Sequence, residues 1–417
     1  MKVIHWVRDD LRIHDNRVLS EFANTASSGI SVWCATPSFF RANSIRREFI
    51  VRSLLEYQES IERLGGTLLV FDCLASTVLP ELAESYGAEA IFCTSLPVHE
   101  EQIEEKSVAE ILNGKLRTDP QSSLLHPGDL PFIPANIPES FTQFRKAVES
   151  RLIVRPEIET PKKIPSSGSW SSPIPVWNPR SEVAEGPPPE RIIPGERAGL
   201  ARLEYYLWGC ERIRTYKETR NGLTEWDDSS KLSPYLSVGA LSPRRIFFEL
   251  KKYERERGAN DSTYWLFFEL LWRDYFKFIS EKWGAVFFGQ MSAQSKAWKP
   301  NENSSDRSRH DFDSWCRGET GDRFVDANMR ELNATGWMSN RGRQNVASYL
   351  SKTLRVDWRL GASYFEKNLI DYDATSNWGN WSYLAGVGQD GRDRIFNTER
   401  QASLYDPSGA YRDKWCP

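Results

Sequence analysis

Four short apolar runs, Val3–Val7, Ile30–Thr36, Leu68–Cys73 and Ala90–Ser95, alternate with stretches of helical spacing at Arg46–Leu64, Leu79–Tyr86 and Glu100–Leu112. This alternation limits the fold more than any other feature of the chain. Buried strands joined by helices run parallel, because each helix carries the chain back to the same end of the sheet, and both faces are then covered. Residues 1–125 are therefore expected to form an α/β domain built on a parallel sheet. No GxGxxG follows the first run, so the usual dinucleotide-binding turn is absent.

The pattern then changes twice. Residues 126–195 are rich in Pro, Ser and Gly and read as a long interdomain linker over the surface, interrupted by one short helix at Phe141–Glu149. After Gly195 the periodicity is almost wholly helical, at Ala198–Thr215, Pro243–Arg257, Thr263–Trp283, Phe324–Thr335, Asn340–Leu354 and Gly361–Leu369. Ser242–Pro243 is a helix start, and Gly258 and Gly284 are stops. Residues 196–417 are expected to be an all-helical domain, which makes the fold class α/β plus all-α.

Composition narrows the function. No stretch approaches the roughly 18 apolar residues of a membrane span, and MKVIHWVRDDLR opens as a strand rather than a leader, so a soluble, intracellular protein with no membrane partner is expected. The six cysteines form no CxxC pair, which predicts free thiols and no metal centre. Residues 196–417 hold 34 Lys and Arg against 31 Asp and Glu, while the first 195 residues are net acidic, so a polyanion would favour the second half. Twelve of the 16 tryptophans also lie after residue 200, a density that suggests a task for aromatic rings.

Four segments of that half carry chemistry. SSKLSPYLSVGALSPRR (Ser229–Arg245) gathers hydroxyls, a lysine and helix starts, which either cap helices or cradle a diphosphate. FFELLWRDYFKF (Phe267–Phe278) sets Glu269 and Trp272 three apart on one face, with Arg273 beside them; a carboxylate there lines a cavity or reaches solvent. VDANMRELNATGWMSNRGRQNVASYL (Val325–Leu350) brings Asn340, Arg341, Arg343 and Gln344 to a helix start, where an anion or polar ring would sit. LIDYDATSNWGNWSYLAGVG (Leu369–Gly388) spaces Asp371 and Asp373 two apart before Asn377, Trp378, Trp381 and Tyr383. With no histidine or third acid close by, these carboxylates suit a heterocycle or an arginine better than a metal.

Together with VIHWVRDDLRIHDN (Val3–Asn16) and NSIRREFIVRSLLE (Asn43–Glu56), these segments resemble the photolyase/cryptochrome family over most of the chain. SNRGRQNVAS and NWGNW resemble its DASH-type branch. The resemblance implies an antenna-type α/β domain and a helical domain that binds FAD. Tyr216, Ser229, Ser230, Lys231, Leu232 and Ser233 match positions around the diphosphate and adenosine. Arg273, Arg343, Asp371, Asp373 and Asn377 match positions near the isoalloxazine, with Arg343 and Asp371 as an ion pair, Asp373 near the pyrimidine edge and Asn377 at N5.

Further roles follow from the same resemblance. Trp381, Trp358 and Trp298 match an electron path to the surface, with Trp315 as the alternative outer member. Glu269, Trp272, Asn340, Gln344 and Tyr383 match a cavity that receives a pyrimidine dimer in DNA, single-stranded in relatives of this type, and Arg220 and Arg341 match phosphate contacts. His99 and Glu100 match a pair that holds a folate antenna, methenyltetrahydrofolate. A monomer without a long signalling tail is expected. Light-driven dimer repair is the leading reading, and a blue-light receptor acting through flavin photoreduction without repair is the second; a flavin protein with no light role is a third, which Trp381 and Trp358 oppose.

Overall fold

In the computed structural model, residues 1–184, 192–289, 305–387 and 395–417 are described. Five parallel strands, β1 (Lys2–Val7), β2 (Ser28–Cys34), β3 (Leu68–Phe71), β4 (Ala90–Thr94) and β5 (Leu116–Asp119), form one sheet in the order β3-β2-β1-β4-β5. The four expected strands are present within two residues. β5 has no apolar run to announce it, because Leu116–Asp119 is an edge strand with Arg117 and Thr118 exposed. Strand order reverses at β1, so the crevice beyond the carboxyl ends of β1 and β4 is where such a sheet leaves room for ligands.

Helices cover both faces and then take over the chain. The longest, Asp261–Trp283, is opened by a capping box between Asn260 and Thr263 and stopped at Gly284, as its sequence signals imply. Ser242 accepts from the Arg244 amide ahead of Pro243, and Gly258 ends that helix. The expected Ala198–Thr215 helix is instead broken: an α-helix over Glu196–Glu204 passes into a π-turn at Tyr205–Gly209 and a 3-10 turn at Arg212–Thr215. Glu211 sits at φ 50 between the turns, a backbone state that no helix accommodates and that apolar spacing cannot reveal. No helix among the described residues is long and apolar enough to cross a membrane.

The segment 126–195 does not simply run over the surface. Its Ile137, Phe141, Phe144, Val148, Ile164 and Ile192 are buried in the same core as the strands and helices. Trp177 donates its amide to the Val70 carbonyl of β3 at 2.9 Å, and Gly29 of β2 donates to Ser166 at 3.2 Å. Proline and serine content hid an apolar residue every few positions, and that spacing suffices to fasten the segment down.

The two halves are joined by buried charge. Asp15 accepts Arg244 Nε at 2.9 Å and Nη2 at 2.7 Å, and also the Ser242 hydroxyl. Glu196 accepts the amides of Ile13 and His14. On the long helix, Asp274 is fully buried and accepts the amides of Leu124 and Leu125 at 3.0 and 2.7 Å. Gly239, at φ +66, lies so close to Asp9 that a Cβ would overlap the Asp9 carbonyl. These contacts fix where the helical half sits on the sheet.

Candidate functional site

Asp371 lies just before the helix Ala374–Ala385 and is 6% exposed. Arg343, in the first turn of the helix Asn340–Ser348, donates Nη2 to both carboxylate oxygens at 2.9 Å, while its Nε is held by the Met338 carbonyl. Ser233 donates its hydroxyl to the same carboxylate at 2.8 Å. The serine loop thus touches the Arg343–Asp371 pair directly. No side chain caps the helix Ser233–Ser237, so the hydroxyls of this loop are not spent on capping it.

Lys231 is strained at φ 56 and buried. Its amine donates to Ser229 Oγ at 2.8 Å and lies 5.1 Å from the Trp226 ring and 5.0 Å from the Trp337 ring. Burial pushes its pKa down to about 8, although Glu331 opposes the fall. Arg202, which sequence reasoning did not single out, shapes the loop from behind by donating to the Ser229 and Ser230 carbonyls at 3.2 and 2.9 Å. Trp337 was also missed, and it carries cations on its ring from both Lys231 and Arg343. Leu232 is buried within the loop, whereas the buried Tyr216 lies toward Glu269 and Arg220 and edge-on to Tyr206 at 6.3 Å.

Asp373 faces elsewhere, so the two acids do not form a chelating pair. It caps the helix Ala374–Ala385 through the Ser376 amide at 2.8 Å and accepts the Thr375 hydroxyl at 2.7 Å. Burial alone would raise this carboxyl, yet Arg273 and Lys277 together outweigh it and hold the group at about 2. Arg273 stands 3.7 Å from Asp373 and donates to the carbonyls of Ser122 and Leu236. Asn377 is oriented by a 3.0 Å bond from its side-chain amide to the Ala362 carbonyl.

Arg273, Lys277 and Asp373 also border a cavity of about 90 Å³ between the halves, together with Asp9, Glu101 and Tyr372. It occupies the crevice past β1 and β4. His99 and Glu100 open the helix His99–Ile111 beside it but do not line it. Glu100 is 47% exposed through its side chain and pairs with Arg41 at 2.6 Å.

A second cluster forms on the long helix. Glu269 is paired with Arg220, whose guanidinium also lies 5.3 Å from the Trp265 ring. Burial raises the Glu269 carboxyl, and Arg220 counters that rise. One turn on, Trp272 is only partly exposed and stacks on Phe141 at 3.7 Å with 14° between the planes. On the helix Asn340–Ser348, Asn340 is exposed, whereas Gln344 Oε1 and Arg341 Nε are buried without a partner. Arg341 also lies 4.7 Å from the Tyr405 ring. Unpartnered polar atoms of this kind fit a site that takes a polar ligand. Tyr383 is partly buried on the helix Ala374–Ala385, which packs on both of the others.

The tryptophans divide by environment. Trp381 is 2% exposed and stands edge-on to Phe365 at 5.1 Å and Trp315 at 6.1 Å. Gly361 makes room for it, since a Cβ there would overlap the indole. Trp358 is buried edge-on to Trp378 at 5.7 Å. Trp315 is fully buried, with its Nε1 donating to the Val346 carbonyl at 3.0 Å, so the expectation that it could be the solvent-facing member is corrected. Trp298 lies outside the described residues.

Residues 3–165 match the DNA photolyase family and residues 265–417 match the FAD binding domain of DNA photolyase. The chain is 44% identical to the cryptochrome DASH of Natronomonas pharaonis over 99% of this chain and 89% of that one. It superposes on the crystal structure of the Synechocystis sp. PCC6803 cryptochrome with a TM-score of 0.92 at 41% identity, covering 100% and 88% of the two chains. A bacterial class III photolyase from Agrobacterium tumefaciens gives 0.86 at 25% identity, over 99% and 86%.

Proposed function

Because the chain belongs to the photolyase/cryptochrome family, with DASH cryptochromes among its relatives, we propose that it repairs cyclobutane pyrimidine dimers in single-stranded DNA under blue light. The observation that carries this reading is the juxtaposition on the long helix of the Arg220–Glu269 pair with the partly exposed Trp272. A plain core helix has no use for a half-buried, paired carboxylate beside an indole, whereas a flipped-out dimer offers polar edges to the first and a ring face to the second. FAD, which the helical half binds, would in its reduced form lend an electron to the dimer on light absorption and receive it back after the bonds break.

The chain's own residues do the rest. Lys231, Ser229 and the amides of the loop Ser229–Ser233 suit the diphosphate, with Arg202 keeping the loop in shape. Arg343, pinned by Asp371, sets a fixed cation beside the flavin ring, and Asn377 presents an amide held by Ala362. Asn340 and Gln344, on a neighbouring helix, offer donors and an unpartnered acceptor to the dimer, and Tyr383 a second ring. Arg220 and Arg341 suit phosphates, and single strands place the least cost on unstacking the lesion. Trp381 and Trp358 serve photoreduction, and His99 with Glu100 would border a folate antenna.

The test mixes photoreduced protein with a single-stranded oligonucleotide carrying one thymine dimer and follows the return of thymine absorbance under blue light. Repair that slows in Glu269→Ala, with flavin photoreduction unchanged, supports the reading. Photoreduction with no thymine return removes it and leaves the photoreceptor.

A further inference from the structure

We infer that Phe141, from the segment between the two halves, is a positioning residue of the lesion site: it stacks on one face of Trp272 and so sets the tilt at which the indole meets a base. The inference deepens the repair reading and rests on it for the identity of the stacked base.

Phe141 and Trp272 lie 3.7 Å apart, centroid to centroid, and 14° from parallel, the shortest and among the flattest of the aromatic contacts in the described residues. Parallel rings at that distance exclude any third ring from the shared face. Phe141 is itself held in a box made by one side of the long helix. It meets Phe268 edge-on at 5.2 Å and Tyr275 at 5.6 Å, with Trp272 between them in sequence at i+4 and i+7 spacing. Tyr275 in turn donates its hydroxyl to the Glu139 carbonyl, two residues ahead of Phe141.

The short helix Phe141–Glu149 that carries this ring is fastened along its length. Phe144 and Val148 are buried on the same face, three and seven positions on. From its middle Arg145 donates to the Tyr264 hydroxyl at 2.7 Å, and that hydroxyl donates to Glu149 at its end at 2.6 Å. Lys282 holds the Ile137 carbonyl ahead of it at 3.0 Å. The Phe141 ring is therefore pinned relative to the long helix, and through it the tilt of Trp272 is pinned beside Glu269. An unsupported indole at this partly exposed place would have rotamers to lose on binding, and Phe141 removes that cost beforehand.

The experiment uses full-length flavoprotein in four forms: wild type, Phe141→Ala, Phe141→Tyr and Trp272→Phe. The first readout is the 19F NMR signal of Trp272 in protein labelled with 5-fluorotryptophan, assigned by its loss in Trp272→Phe. Phe141→Ala is expected to move or broaden that signal and Phe141→Tyr to restore it. The second is the ratio of affinities for single strands with and without a dimer, expected to drop about fivefold in Phe141→Ala, the size of one stacking contact, and to recover in Phe141→Tyr. Equal flavin content in all forms separates positioning from misfolding. An unmoved Trp272 signal in Phe141→Ala overturns the inference, as does an unchanged ratio where wild type discriminates. If wild type itself binds both strands alike, the repair reading fails while the NMR signal still decides Phe141.

Discussion

Arg343 donates one nitrogen, Nη2, to both oxygens of Asp371 at 2.9 Å, and the acid is buried while the arginine keeps about a quarter of its side chain exposed. Removing the acid leaves the guanidinium, still tied by Nε to the Met338 carbonyl, without its counter-charge, which costs more than the pair contributed. Asp371→Asn is expected to lose about 3 kcal/mol in urea unfolding, the usual size for breaking such a pair. It should also purify with little FAD, read from visible absorbance. Ser233→Ala removes only one hydroxyl bond to the acid and should cost about 1 kcal/mol.

Lys231 gives two pH trends of opposite sign. Burial sets its folded pKa at about 8, below the ordinary 10.5, so between these values the unfolded chain carries a proton the folded one has shed. The apoprotein should therefore gain stability as pH rises through that window. With the amine charged against the FAD diphosphate, as proposed, FAD affinity should fall above pH 8, by up to about tenfold per pH unit. Fluorescence titration of FAD and thermal melting of the apoprotein check the two, and Lys231→Met should flatten both.

Trp381 and Trp358 are buried in aromatic surroundings, and Trp315 has no exposed surface at all. Trp381→Phe and Trp358→Phe should each lose most flavin photoreduction in blue light, followed by the bleaching of the oxidised flavin band. Both should still repair dimers once chemical reductant is supplied. Trp315→Phe should photoreduce like wild type, because the oxidised indole that forms there has no exposed surface at which a solvent reductant can refill it.

Gly239 sits where the helical half meets the loop after β1, and its carbonyl accepts Arg12 Nη1 at 2.9 Å. Alanine there meets both a positive φ and the Asp9 carbonyl. Gly239→Ala should destabilise the protein by about 3 kcal/mol in urea unfolding, with loss of the flavin signal in the same transition.

Periodicity alone was enough for the parallel sheet, the long helix with its start and stop, and the change from α/β to all-α, because these depend on spacing within one stretch of chain. Motif likeness marked Arg343 with Asp371 and Glu269 with Trp272, since those residue types have little use in a plain core. What it left out was decided across distance. Phe141 reaches Trp272 from 131 positions away, Arg202 shapes the serine loop, Lys231 and Arg343 share Trp337, and Trp315 is sealed from solvent. None of these follows from local spacing, because burial and ring stacking depend on which segments the fold brings together. The sequence by itself determined the elements and the chemical groups available to them; the tertiary structure decided which groups meet, and so which tryptophan is partly exposed beside Glu269 and which lies shut in the core.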